Sequence, residues 1–240
     1  MNPPLGAWGL TGTPVPLPGG HRNTVLRVGD HVLKTTRRSE AAMSWLLPVI
    51  DGLERVGLSA PRPIRSLRGT LIVDGWTCEP FFNGARCDPS YLKQVWPRFA
   101  HETRGIQQRQ AFASATALLH LPRGGDINLT HLPPPLTRAI RAAWWALDRK
   151  PPCVTHGDLN ASNLIRADDR VIVIDWDEAR VDHPGFDRVA LDQGTPAEKH
   201  AATAWEIACS WRIEPDHART LVKPFLAHHT RTRNANHPSC

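Results

Sequence analysis

The segment Val154-Thr155-His156-Gly157-Asp158-Leu159-Asn160-Ala161-Ser162-Asn163, with Asp175 twelve residues further on, constrains this chain more than any other stretch. Val171-Ile172-Val173-Ile174 is an unbroken β-branched run, which reads as a buried strand carrying Asp175 at its C-terminal end. Arg166-Ala167-Asp168-Asp169-Arg170 is a polar turn that folds Leu164-Ile165 back against that strand as a hairpin. The fold-back sets Asn163 beside Asp175. An amide oxygen and a carboxylate so placed suit one hard cation that prefers oxygen donors. A further carboxylate, Asp158, stands five residues before Asn163 and can orient a hydroxyl nucleophile. Together the three can hold magnesium against a nucleotide triphosphate and position its acceptor.

The first half of the chain offers a phosphate-binding counterpart. Pro18-Gly19-Gly20-His21-Arg22-Asn23-Thr24 is a glycine turn whose backbone N–H groups can approach phosphate oxygens. Two short β-runs follow, Val25–Val28 and His31–Lys34, joined by Gly29-Asp30 as a hairpin. The chain has 24 Arg and five Lys, and one of those lysines, Lys34, ends the second run. A lysine offers phosphates a compact point charge where ordinary surface positions here go to arginine. Ser39 is placed to cap a helix that begins at Glu40 and ends or kinks near Pro48. Glu40 in the first turn suits the helix dipole, and it is the best candidate for the carboxylate that would hold Lys34.

His156-Gly157-Asp158 with Asn163, then Ile174-Asp175-Trp176-Asp177, resembles the signature of the aminoglycoside phosphotransferase and choline kinase-like families, which share the protein-kinase fold. The run from Gly29 to Leu46, with PRPIRS and VDGWTCEPFFNG after it, resembles a group of actinobacterial kinase-like proteins of unassigned substrate, in which the same short gap from Lys34 to Glu40 recurs. The resemblance implies Asp158 as catalytic base and Asn163 and Asp175 as Mg2+ ligands. It implies that His156 and the Asp187 of Gly185-Phe186-Asp187 support the catalytic loop, the latter through backbone hydrogen bonds. It makes Gly19, Gly20, Asn23, Lys34 and Glu40 part of the ATP site. Asp74 to Gly84 would be the connector between lobes, with the carbonyl of Pro80 and the N–H of Phe82 as adenine contacts. A proline has no N–H, so Pro80 could serve only through its carbonyl.

The fold expected is therefore α+β, two-lobed and protein-kinase-like. Residues 1–80 would form a small β-sheet lobe with one helix, and 81–229 a mainly helical catalytic and acceptor lobe. Leu71-Ile72-Val73 reads as another strand. Helical patterns run from Tyr91 to Thr103 with a break at Pro97, Gln108 to Leu121, Leu136 to Asp148, Pro196 to Arg212 and Pro215 to His228. Trp144 and Trp145 read as core anchors, and residues 230–240 as a disordered tail.

Composition narrows the function. The net charge is +6 and the pI about 9.4, yet the arginines are dispersed and no nucleic-acid module is present, which argues against nucleic acid as partner. No stretch reaches the ~18 apolar residues of a membrane span, and no signal peptide is evident, so a cytoplasmic protein with free thiols is expected. The five cysteines are scattered and odd in number, which speaks against a disulfide framework or a zinc site. The partners expected are a nucleotide triphosphate and a small-molecule hydroxyl acceptor, an aminoglycoside or amino sugar among the classes. Asn160 and Ser162 stand where antibiotic kinases often carry His and Gly, and the C-terminal part is short, so the acceptor pocket should be small or open. Asp177, Glu178, Asp182, Asp192 and Glu206 are its acidic candidates. A protein kinase fits less well, since Asn160 replaces the lysine expected there and Asp177 to Asp187 is too short to dock a peptide. The alternative is a kinase-shaped nucleotide-binding or regulatory protein without transfer activity.

Overall fold

The structure, a computed structural model, describes residues 2–18 and 23–236, with side chains through residue 227. Gly19 and Gly20 lie outside the described residues. In chain order come strands β1 (Val15–Pro16), β2 (Val25–Val28) and β3 (His31–Thr35), helices α1 (Glu40–Ser44) and α2 (Leu46–Arg55), and strands β4 (Trp76–Pro80) and β5 (Ala85–Arg86). Helix α3 (Leu92–Glu102), strands β6 (Arg123–Gly124) and β7 (Ile127–Asn128), helix α4 (Pro134–Trp145) and strand β8 (Cys153–Thr155) follow. The chain continues with β9 (Leu164–Ala167), β10 (Arg170–Val173), β11 (Arg180–Asp182), α5 (Gly185–Ala190), α6 (Pro196–Ser210) and α7 (Pro215–Asn236). The last helix thus extends past His228, where the sequence pattern placed its end.

These elements form two compact units. One comprises residues 1–91 and 160–176, the other 92–159 and 177–240. The division differs from a cut at residue 80, because the β9–β10 hairpin belongs with the N-terminal sheet elements. Antiparallel pairing joins β9 to β5, and Ser59 exchanges backbone hydrogen bonds with Val171 and Val173.

The first unit is built on an antiparallel sheet in the order β1-β2-β3-β4. Gly29, at φ 56°, turns β2 into β3 with Val25 opposite Lys34. Trp8, Val28, Leu33, Trp76 and Cys78 form the buried cluster of this sheet. The Ser39 hydroxyl accepts from Ala42 N–H and caps α1. The helix breaks at Trp45 because Pro48 has no N–H for the carbonyl of Ser44, and α2 then buries Leu46, Val49, Ile50 and Leu53. Leu71-Ile72-Val73 is not a strand. Val73 makes only a bridge to Trp76 across the Asp74-Gly75 turn, and the strand proper is β4, inside the stretch read as the connector.

The second unit is mainly helical. Its core gathers Leu118, Ile140, Trp144, Phe186, Trp205, Ile207 and Phe225, with the Trp144 and Trp205 rings 5.7 Å apart. Trp145, expected beside Trp144 as a core anchor, is instead 68% exposed, because one residue further along α4 turns its side chain about 100° away from the face that Trp144 buries. Helix α3 continues through Pro97 to Glu102. Gln108 to Leu121 is also corrected, since only Ala117–Leu119 forms a helical turn there. The buried Arg109 guanidinium donates to the carbonyls of Asp177 and Ala179, and Ala115 N–H donates to the Asp182 carboxylate. Those partners, together with Ala111 at φ 67°, hold the segment in an irregular path.

Candidate active site

Within the first unit, the β9–β10 register pairs Leu164 with Val173, and Ile174 N–H donates to the Asn163 carbonyl at 2.9 Å. Asn163 and Asp175 therefore sit at the same end of the hairpin. Asn160 accepts from Ser162 N–H through its side chain and caps the short turn that presents Asn163, whose side chain is buried. Arg86 donates to the Ser162 carbonyl of the same turn. Asp175 adopts φ 63°, the left-handed region that Asp and Asn tolerate better than most side chains. Trp176 closes the turn behind it, its indole N–H donating to the Val173 carbonyl at 2.8 Å.

Lys34, on β3, reaches this end of the hairpin: its Nζ lies 2.6 Å from Asp175 Oδ1. The lysine side chain is 14% exposed and the aspartate 44%, so the pair is partly shielded with the carboxylate facing outward. Glu40 does something other than hold Lys34. Its carboxylate accepts from Leu71 N–H at 2.7 Å and Ile72 N–H at 3.1 Å, with Arg65 at 3.8 Å. The physical reason is that these two amides are outside any strand ladder and take Glu40 as their acceptor.

Pro80 is opposite His31 in the β3–β4 ladder, and Phe81 N–H donates to the Asp30 carbonyl. This alternation turns the Pro80 carbonyl away from β3, toward the outer edge of the last strand of the sheet. The Cys78 carbonyl, two residues earlier on that edge, accepts from Ile64 N–H. Phe82 follows the strand end directly. Gly84 then passes so close to β9 that a Cβ there would lie 2.3 Å from the Arg166 carbonyl oxygen. Asn23 precedes β2 next to Thr24, whose N–H is held by the Thr35 hydroxyl.

The second unit holds the His156-Gly157-Asp158 loop. Strand β8 pairs with β11 and delivers His156, fully buried, at its end. The buried Asp187 carboxylate accepts from His156 N–H at 2.7 Å, Gly157 N–H at 3.1 Å and the Trp96 indole N–H at 3.0 Å. His156 Nδ1 accepts from Asp158 N–H at 3.3 Å, which puts the proton of a neutral ring on Nε2. Gly157, at φ 86°, packs where a Cβ would fall 2.8 Å from Arg180 Nη1. The Asp158 side chain is exposed. Asp158 thus belongs to the second unit, and Lys34, Asn163 and Asp175 to the first.

Beneath the loop lies a buried ion pair that sequence reasoning did not single out. Arg180 Nε is 2.8 Å from Asp182 Oδ2, and its guanidinium stacks 3.4 Å over the Trp205 ring. Burial pushes the Asp182 carboxyl above the usual range, opposed by Arg180 and the N–H groups of His183 and Ala115. Trp96 was also missed as a partner of Asp187; in sequence it reads as one more apolar residue of a helix face. Of the acidic candidates for an acceptor pocket, Asp182 is consumed by Arg180, and Glu206 is 3.0 Å from His217. Asp192 is 4.0 Å from Lys93. Glu178 lines a crevice of about 10 Å³ with Phe112, Asp126, Trp205 and Cys209, enough space for one water.

The Phosphotransferase enzyme family model matches residues 13–202. The chain belongs to this family. Solved structures of similar fold agree. A choline/ethanolamine kinase family protein from Mesorhizobium loti matches at 18% identity and TM-score 0.51, over 96% of this chain and 90% of that one. APH(2")-IIia in complex with GDP and kanamycin matches at 15% identity and TM-score 0.55, over 91% and 93%. The amicoumacin kinase hAmiN in complex with AMP-PNP, Ca2+ and Ami matches at 15% and 0.57, over 94% and 74%. No curated protein matched the sequence. Family and fold together make the chain a small-molecule kinase. No helix among the described residues is long and apolar enough to cross a membrane.

Proposed function

We propose that this phosphotransferase moves the γ-phosphoryl group of ATP to a hydroxyl of a small molecule in the cytoplasm. The observation that carries the reading is the 2.6 Å contact of Lys34 with Asp175, which joins a glycine-hairpin strand to the end of the β9–β10 hairpin. Asp158 would take the proton of the acceptor hydroxyl as its oxygen attacks phosphorus and ADP departs. Lys34 would neutralise phosphate charge, with Gly19, Gly20 and Asn23 as backbone contacts. Asn163 and Asp175, an amide oxygen and a carboxylate side by side, fit the donor preference of Mg2+, which would neutralise charge on the phosphates. The open-edge carbonyl of Pro80 and the N–H of Phe82 would receive the adenine. Asp187 and His156 would set the backbone of the Asp158 loop, and Glu40 would act only indirectly, by holding Leu71 and Ile72.

An amino-sugar-like acceptor is the class placed first, because one of the similar structures holds the aminoglycoside kanamycin. Acceptor-dependent ADP release with Mg2+, screened over amino sugars, aminoglycosides, choline-like alcohols and nucleosides, tests the reading. Asp158→Asn should slow turnover on the true acceptor by about 10²–10⁴-fold, the usual contribution of a positioned base, with ATP affinity little changed. An Asp158→Asn enzyme that turns over at the wild-type rate would overturn the assignment of the base.

A further inference from the structure

The second unit contains a cavity of about 640 Å³, within the range of small-molecule sites. One wall is the face of α3 that carries Trp96, Pro97 and Ala100. The other is Pro184, Arg188, Leu191 and Gln193, and the floor is Cys153 and Asp187. Nothing in the phosphotransfer reading occupies this space.

Its chemistry is one-sided. The floor carboxylate is already saturated, since Asp187 accepts from His156, Gly157 and Trp96. The floor thiol is neutral: burial, with Asp187 and Asp182, pushes Cys153 up to about 12, and Arg104 acts in the opposite direction. At the rim, Arg104 is exposed, and its guanidinium has no hydrogen bond or ion pair among the described residues. Arg188 adds a second positive charge, spent partly on the Gln193 carbonyl at 2.9 Å and on Glu198 at 3.5 Å. Trp96, Pro97, Ala100 and Leu191 supply apolar surface. A concave apolar wall beneath an unengaged guanidinium favours a ligand with an apolar body and one anionic end.

We propose that this cavity binds a small amphipathic anion, a carboxylate or sulfonate on an aromatic or aliphatic body, with Arg104 taking the charge and Trp96, Pro97, Ala100 and Leu191 the body. Occupancy bears on the loop behind it. Trp96 forms part of the wall and donates to the same Asp187 oxygen that receives His156 N–H. A ligand that fixes the indole therefore fixes an acceptor of the His156-Gly157 backbone.

The test is a fluorescence titration of the full chain with 8-anilinonaphthalene-1-sulfonate and, in parallel, with the uncharged N-phenyl-1-naphthylamine. Wild type should bind the sulfonate at one site about tenfold more tightly than the uncharged dye, the scale of one charge-assisted hydrogen bond. Arg104→Glu, an exposed change, should remove that preference while still binding the uncharged dye. Ala100→Trp should abolish binding of both by filling the cavity. Equal affinities for the two dyes in wild type, no binding in wild type, or an unchanged preference in Arg104→Glu would overturn the proposal. Retained binding of both dyes in a folded Ala100→Trp protein would overturn it as well.

Discussion

Replacing Asp187 by alanine should destabilise the second unit more than almost any other single polar change. The carboxylate is buried and accepts three hydrogen bonds, from His156 N–H, Gly157 N–H and Trp96 Nε1. Each buried donor left without a partner costs roughly 1–3 kcal/mol. Trp96 Nε1 sits on a side chain that can turn, whereas the two backbone amides are fixed by the loop. The two backbone donors remain, at roughly 2–6 kcal/mol together. A domain holds only ~5–15 kcal/mol in total, so the loss is a large fraction of its stability. With a urea dependence of ~1–3 kcal/mol per molar, a mid-range loss moves the unfolding midpoint down by about 2 M. Asp187→Asn should cost less, because its amide oxygen can keep the His156 and Trp96 donors and only Gly157 N–H would face the NH2 group. Urea unfolding followed by far-UV circular dichroism reads both. A loss below about 1 kcal/mol in Asp187→Ala would refute the claim that these three bonds hold the loop.

Asp175→Asn should keep the left-handed backbone yet lose the charge facing Lys34, so that Mg2+ no longer tightens ATP binding in calorimetric titration; an undiminished Mg2+ effect would sink the metal assignment. Lys34→Ala should weaken ATP binding by about tenfold, the scale of one charge-assisted contact, and unaltered affinity would remove Lys34 from the site. Gly84→Ala should lower the thermal midpoint, because a Cβ 2.3 Å from the Arg166 carbonyl forces β5 off β9; an unchanged midpoint would contradict that register. Lys150→Met should destabilise more near pH 7 than at pH 3. Burial opposes ionisation of Glu198, but Thr195 N–H, Lys150 and Arg188 outweigh it and hold the carboxyl below its ordinary 4.5. Lys150 likewise holds Asp148 low, against burial and with help from His183. Depressed acids stabilise above their unfolded values and lose that contribution as pH falls through the folded ones. Equal destabilisation at both pH values would exclude this network as the cause.

Local signals made much of this architecture readable. Gly29-Asp30 and Asp168-Asp169 announce their hairpins, Ser39 its helix cap, and the β-branched run Val171–Val173 its buried strand. Asn163 and Asp175 come together because a hairpin is a short-range object. What stayed hidden depends on partners far along the chain. Phe112, Ala115, Leu118 and Leu119 imitate one face of a helix. The segment instead follows Arg109 to the Asp177 and Ala179 carbonyls, about seventy residues away, and Asp182 to Ala115. Glu40 is drawn away from Lys34 for the same reason: the N–H groups that donate to it, Leu71 and Ile72, are some thirty residues downstream. No pattern within a helical window weighs such competitors.

The first unit is discontinuous in sequence, its sheet elements preceding residue 92 and its hairpin arriving only with residues 160–176. A ribosome adds ~5–20 residues per second, so roughly 4–17 s separate synthesis of the two pieces. Until then β5 has no β9 to pair with, and the Ser59 backbone lacks Val171 and Val173. The four-stranded sheet β1-β2-β3-β4 can close without them, but β5 and Ser59 wait for a segment made after the intervening helices α3 and α4. A chain released before the hairpin is made would leave β5 and the Ser59 backbone unpaired for good, and unpaired strand backbone is where nascent chains find the wrong partner.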